Sequence, residues 1–302
     1  MILCCGEALI DMLPRQTTDG GNAFAPHAGG AVFNTAIALG RLGAPVQFFS
    51  GLSSDLFGDI LRHELTASGV DSSPVAISDR PTTLAFVTLT DGHASYAFYD
   101  ENTAGRMLSD DDLPPVQADA LFFGGISLVV EPCGAVYQHL MQREAPTKVT
   151  MIDPNIRPSF ITDEAAYRQR LNSMLGMADI IKTSDEDLAW ITGGTDARAL
   201  FDGGAKAAVI LLTRGADGVT VLTRDDQADV AAEKATVVDT VGAGDTFSAG
   251  FLAHLQRSGH LTKDNFAQTS LDDLQAATAF GAKVAAITVS RAGANPPWAH
   301  EL

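Results

Sequence analysis

Positive charge and cysteine are both scarce in this chain. Against 37 Asp and Glu it carries only 20 Lys and Arg, which leaves a formal net charge of −17 over 302 residues. A surface that acidic repels phosphate backbones and anionic headgroups, so nucleic acid and membrane surfaces are not expected partners. Any bound phosphate would have to be held by local amides and a divalent cation. Three cysteines, Cys4, Cys5 and Cys133, are too few and too poorly spaced for a disulfide framework or a zinc site, and a reducing cytoplasm is the expected setting. The seven histidines include no His-x-x-x-His pair, which argues against a dedicated zinc site. Long apolar runs are missing too: the longest, 120–130, is too short to span a bilayer. The apolar N-terminus lacks a basic leader and a cleavage-site pattern, so it is not read as a signal peptide. Low complexity, internal repeats and the Walker pattern Gly-x-x-x-x-Gly-Lys-[Ser/Thr] are all absent.

What is present is apolar content of 46%, enough for one large α/β domain or a large domain with a small appendage. Residues 2–10 read as one buried parallel strand with Asp11 at its carboxyl end, where ligands collect in open α/β sheets. Residues 14–27 are polar and glycine-rich, a hairpin-like excursion. Gly29-Gly30 opens a helix running to Leu42, with Asn34 on its first turn and Gly43 as its stop. A strand at 46–50 and a helix at 55–69 follow. Residues 82–90 and 93–99, joined by Asp91-Gly92, form a β-hairpin. Beyond 119, strands at 120–124, 148–153, 179–182 and 209–213 alternate with helices at 132–143, 163–175 and 185–191. That alternation predicts a mostly parallel sheet with helices on both faces.

The stretch most suited to chemistry is Asp239-Thr-Val-Gly-Ala-Gly-Asp245. A β-branched run meets two glycines, a carboxylate, and then apolar residues at helical spacing: Phe247, Phe251, Leu252 and Leu255. Extended chain turns sharply into a helix there. Gly242 and Gly244 allow the backbone to approach a ligand, and the amides of Gly242, Ala243 and Gly244 would point outward at the positive end of the helix. Asp245 in the first turn is either a helix-start carboxylate or a base beside an anion hole. A carboxylate would repel a bound phosphate, and makes sense there if it takes a proton from an attacking hydroxyl.

This stretch resembles the C-terminal signature of the ribokinase-like (PfkB) carbohydrate kinases. The run Ala28-Gly-Gly-Ala-Val-Phe-Asn34, continuing to Gly43, is similar to the family's N-terminal signature, and the resemblance extends from Gly6 to Ala294. It implies a three-layer α/β/α sandwich with a small β-sheet lid: a core of 1–11, 28–80 and 101–302, and a lid of 12–27 and 81–100. It implies transfer of the γ-phosphoryl group of ATP to a primary hydroxyl of a small sugar, with Asp245 as base and the amides of 242–244 as anion hole. Asp11, Gly29, Gly30 and Asn34 would then bind sugar, with the aromatic Phe98 or Tyr99.

Asp153-Pro-Asn-Ile-Arg-Pro158 resembles a segment of fructokinases and 2-keto-3-deoxygluconate kinases, which makes Asn155 and Arg157 substrate residues and D-fructose the first expected acceptor. Fructokinase-type relatives often carry a basic residue where this chain has Asp100, and Arg106 is a possible substitute. Lys182-Thr-Ser184-Asp-Glu-Asp187 stands where the family places Mg2+ and phosphate, with Asp187 or Glu186 orienting metal-bound water. Thr213, Gly215 and Gly218 match a loop beside the nucleotide, and the last helix, 274–287, has a face by the adenine. Asp239, the carbonyl of Val241 and the loop at Gly293 match a site for a monovalent cation such as K+. A homodimer through the lid is a further expectation from the family.

Overall fold

The computed structural model describes residues 1–90 and 93–302. The first half of the chain runs β1 (Ile2–Cys5), β2 (Leu9–Gln16), β3 (Asn22–Gly29), α1 (Ala31–Arg41), β4 (Val46–Phe49), β5 (Gly51–Ser53), α2 (Leu56–Ala67), β6 (Ala76–Ser78), β7 (Leu84–Thr90) and β8 (His93–Tyr99). Strand and helix then alternate through β9 (Ala120–Gly124), α3 (Cys133–Glu144), β10 (Val149–Asp153), α4 (Glu164–Leu175), β11 (Ile180–Ser184), α5 (Asp185–Thr192), α6 (Arg198–Asp202) and β12 (Val209–Thr213). The chain finishes with β13 (Val219–Leu222), β14 (Gln227–Val230), α7 (Ala243–Arg257), α8 (Lys263–Phe266) and α9 (Leu271–Val289).

The main sheet has the order β14-β13-β12-β11-β10-β9-β1-β4. It is parallel from β12 to β4, and β13 and β14 add an antiparallel edge. Alternate residues of each strand feed separate cores, because successive side chains point to opposite faces. Ile2 and Cys4 join the core under α1, α2, α7 and α9, while Leu3 and Cys5 join the one under α3 and α4. Buried on both faces, the central strands are mostly apolar, with Asp153 of β10 and Lys182 of β11 as buried charges. Each fully buried Leu, Ile or Phe contributes about 1.5–3 kcal/mol. Helices α7 and α9 pack closely through glycine: a Cβ on Gly250 would stand 2.8 Å from the Cα of Gly281.

A second sheet, β3-β2-β7-β8, stands over the carboxyl end of β1. Its β2–β3 hairpin closes where the Thr17 N–H donates to the carbonyl of Gly21 at 2.9 Å. β2 runs parallel to β7, and β7 antiparallel to β8. The turn expected at Asp91-Gly92 lies outside the described residues.

Here the expectation of one strand over 2–10 is corrected. The main-sheet strand stops at Cys5, and after Gly6-Glu7-Ala8 the chain crosses into the second sheet as β2. Asp11 is therefore not at the carboxyl end of a main-sheet strand; it is the third residue of β2, beside Ala85 of β7 and His27 of β3. The second sheet accordingly starts at Leu9 and takes in residues through Gly29, wider than the expected 12–27. Both halves of 2–10 are apolar because both are buried, and hydrophobic pattern alone does not register a change of sheet.

Candidate active site

The Asp239–Asp245 stretch becomes a tight loop running into α7. Gly242 has φ 76°, in the left-handed region, and a Cβ there would lie 2.6 Å from that of Ala294. No side chain caps α7; the Ala243 N–H donates to the carbonyl of Thr240 at 3.3 Å, and the amides of Gly242 and Gly244 stay open to a ligand. Asp245 follows in the first turn and is only 8% exposed. Helix α1 packs against α7, which brings Asn34 to the carboxylate: its Nδ2 donates to Asp245 Oδ2 at 2.9 Å across 211 residues of sequence. Thr35 Oγ1 holds the backbone carbonyl of Asp245 at 3.2 Å. Burial pushes the Asp245 carboxyl up from 3.8 to about 7; Asn34 opposes the shift and Asp153 adds to it. A base poised near neutral pH can accept a proton and release it again.

Helix α1 begins differently. Its first residue follows Gly30, at φ 108°, and the Ala31 N–H donates to Glu7 Oε1 at 3.0 Å. Glu7 Oε2 accepts from the Ser127 N–H at 3.2 Å. A Cβ on Gly125 would fall on the same carboxylate. Glu7 thus ties together the link between the two sheets, the start of α1 and the loop after β9. Burial also raises its carboxyl above the usual range.

On the floor of the site Lys182 Nζ is bonded to Asp153 Oδ2 at 2.7 Å, both residues nearly fully buried, Lys182 in the middle of β11 and Asp153 at the end of β10. Burial would discharge the ammonium, but Asp153, together with Asp187 and Asp245, more than offsets that and holds the Lys182 pKa above its ordinary value. A Cβ on Gly244 would lie 2.8 Å from Nζ, so the glycine lets the cation come up beneath the amide loop.

These groups line one cavity of about 320 Å³, near the lower end of the roughly 300–1,000 Å³ usual for ligand sites. Asp11, Gly30, Asn34, Phe98, Asn155, Arg157, Lys182 and residues 241–245 all face it. Burial raises the Asp11 carboxyl to about 6, and Gly29 behind it leaves the room a Cβ would take from that carboxylate. Asn155 has φ 42°, a conformation asparagine tolerates better than most residues. Arg157 is exposed at the mouth. Of the two aromatic candidates Phe98 faces the cavity, packed on Phe160 at 4.8 Å, whereas Tyr99 points to the other side of β8 and packs on Phe86.

The remaining expected residues lie outside this cavity. Ser184 caps α5 by accepting from the Asp187 N–H, and Asp187 is buried with Oδ1 accepting from Ile156 at 2.9 Å. Glu186 is exposed on the first turn of α5. Thr213, Gly215 and Gly218 form the turn from β12 to β13. Asp239 joins two loops, accepting from the amides of Val241 at 3.0 Å and Gly293 at 2.9 Å. A second depression of about 240 Å³ lies between Glu233–Ala235 and Lys283, Ala286, Ile287 and Ser290 of and after α9. Arg106 does not replace a basic residue in the cavity: it pairs with the buried Asp100 at 3.7 Å and donates to the carbonyl of Glu131. Asp100 itself accepts from Thr83 and Thr103, so its charge serves the fold.

Tyr96 and Glu7 are among the lining residues missed from sequence. Tyr96 shares the Phe98 face, as the period of two along β8 would have told. Glu7 was passed over as part of an apolar strand; an acidic residue within such a run was itself the signal.

Comparison with known proteins bears on this geometry. The family model described as pfkB family carbohydrate kinase matches residues 1–301. A fructokinase of Rhizobium leguminosarum bv. trifolii is 54% identical over 277 residues, covering 90% of this chain and 84% of that one. The probable fructokinase-7 of Arabidopsis thaliana is 33% identical over 98% of this chain and 89% of its own. Among solved structures, the ATP-bound fructokinase of Xylella fastidiosa superposes with a TM-score of 0.88 at 31% identity, over 97% of this chain and 93% of that one. The fructokinase of Vibrio cholerae O395 bound to fructose, ADP and calcium gives 0.85 at 25% identity, over 97% and 94%. An uncapped glycine turn leading into α7, a buried carboxylate in its first turn and a relationship that runs nearly end to end converge: the chain belongs to the pfkB family of carbohydrate kinases.

Proposed function

We propose that this chain is an ATP-dependent fructokinase. The observation that carries it is Asp245: a buried carboxylate at about 7, oriented by Asn34, beside open amides at the start of α7 and inside a cavity of sugar size. Asp245 takes the proton of a primary hydroxyl as its oxygen forms a bond to the γ-phosphorus; the bond to the bridging oxygen breaks and ADP leaves. The amides of Gly242, Ala243 and Gly244 receive the developing charge, with Lys182 beneath them. Asp11, Asn34 and Asn155 offer carboxylate and amide groups to the sugar hydroxyls, and Gly30, Tyr96 and Phe98 shape its pocket.

The nucleotide base fits the depression beside α9, with its phosphates running past Thr213, Gly215 and Gly218 and past Ser184 to the helix start. No cluster of three or more acidic or metal-ligating side chains occurs among the described residues. Mg2+ would be held by phosphate oxygens and its own water, with Asp187 as an outer partner. When bound, the ion neutralises phosphate charge. Asp239, the carbonyl of Val241 and the loop at Gly293 would place K+ beside the anion hole.

The second sheet acts as a lid over the sugar and keeps water from competing as acceptor. Its outer face carries an aromatic row, Phe24, Phe86 and Tyr99, with Phe24 and Tyr99 exposed, a surface suited to pairing two lids in a homodimer. Three free buried cysteines suit a cytoplasmic setting, and no described helix is long and apolar enough to cross a membrane. Arg157 at the cavity mouth favours one second reading, 2-keto-3-deoxygluconate, whose carboxylate it could pair. ADP release from Mg-ATP with D-fructose, 2-keto-3-deoxygluconate, D-ribose, adenosine or no acceptor, with and without K+, tests the proposal. Fructose is expected to give the highest kcat/KM; turnover with none of them overturns the kinase reading.

A further inference from the structure

The ion pair beneath the amide loop is oddly economical. Asp153 spends one oxygen on Lys182, and its other, Oδ1, is buried with no hydrogen-bond partner. A carboxylate that anchored a turn would use both oxygens on backbone amides; this one holds a single ammonium and no backbone group. Lys182 also sits among several acids. Asp153 comes from β10, Asp187 from α5 and Asp245 from α7, and all three attract it. Around Asp245 stand Asn34 of α1, Asp153, Lys182 and Glu7, with Asp11 and Arg157 elsewhere on the cavity wall. Lys182 is bonded to Asp153 and makes no bond to Asp245, the candidate base.

We propose that Asp153 is a positioning residue: it holds Lys182 under the amides of 242–244, facing the transferred phosphoryl group, and keeps that cation off Asp245. The proposal rests on the reading of Asp245 as the base. Gly244 is part of the arrangement, since any side chain there would push Nζ aside. With Asp153 in place the ammonium supplies charge where the phosphoryl group passes, and the base stays near neutrality. Without it the anions left to Lys182 are Asp187 and Asp245, and of these Asp245 is the one that shares the cavity with it.

The test is a double-mutant cycle read as pH–rate profiles: wild type, Asp153→Asn, Lys182→Met and the pair together. Asp153→Asn should move the acidic limb down by about one pH unit or more, as an opposite charge arriving within bonding range does, and lower the plateau. Loss of the Asp153 charge acts in the same direction through space, so the decisive comparison is with Lys182 absent. If Lys182 relocates, Asp153→Asn shifts the limb much less in the Lys182→Met background. Equal shifts in both backgrounds, or no shift in the first, overturn the positioning role. Should Asp153→Asn not fold, Asp153→Ser runs the same cycle with room for water beside the ammonium. Failure of the underlying reading looks different: Asp245→Asn would then keep its turnover whatever Asp153 does.

Discussion

Replacing Asp245 with asparagine should damage the enzyme and strengthen the protein. The side chains are nearly isosteric, and the Asn34 Nδ2 can donate to an amide oxygen as it does to the carboxylate. Without a base, turnover should fall about 10²- to 10⁴-fold. Stability should move the other way. The folded value of about 7 lies above the ordinary 3.8, so the fold favours the protonated acid. The stability from this group is fully present below 3.8 and is lost as pH rises toward and through 7. Above 7 the buried charge weakens the fold by up to about 4 kcal/mol, a ceiling, since relaxation around the charge reduces it. The asparagine variant carries no such charge. Urea unfolding followed by tryptophan fluorescence from pH 4 to 9 should give equal stabilities at the acidic end, a variant advantage growing between 4 and 7, and a level gain above. A variant no more stable than wild type at pH 8 would refute burial as the cause of the shift, and near-normal turnover would refute the catalytic role.

Asn34→Ala removes the one hydrogen bond that lowers the Asp245 value, so the acidic limb of the pH–rate profile should move to higher pH; a limb unmoved or moved down contradicts the assignment. Gly242→Ala places a Cβ 2.6 Å from that of Ala294 at φ 76°, with about 1–2 kcal/mol of left-handed strain before any clash. Its turnover should fall further than its sugar affinity, as steady-state kinetics would show. Phe98→Ala opens the cavity wall and frees Phe160; the KM for sugar should rise about tenfold, in line with roughly 1–3 kcal/mol of lost apolar contact, while the acidic limb stays put.

Much of this was legible in sequence because it depends on local chemistry. Two glycines before a carboxylate and a helical apolar run predict the start of α7, and strand–helix alternation predicts the main sheet. What sequence did not yield depends on where the chain goes next. Glu7 acts on amides 24 and 120 residues away, a relation no window contains. The change of sheet at Gly6 is invisible to hydrophobicity because β1 and the first two residues of β2 are alike buried. Asp153 and Lys182 are an intermediate case. They continue the register that pairs Ile152 with Ile181, so knowing that β10 and β11 are neighbours would have been enough to join them.

Two helices aim their first turns at the same cavity, and only one of them has amides to spare. Glu7 has already claimed the start of α1, whereas α7 is left open. The site therefore has a built-in direction. An anion is drawn to one end, and at the other it meets a carboxylate already in residence, so only the neutral part of a substrate settles there.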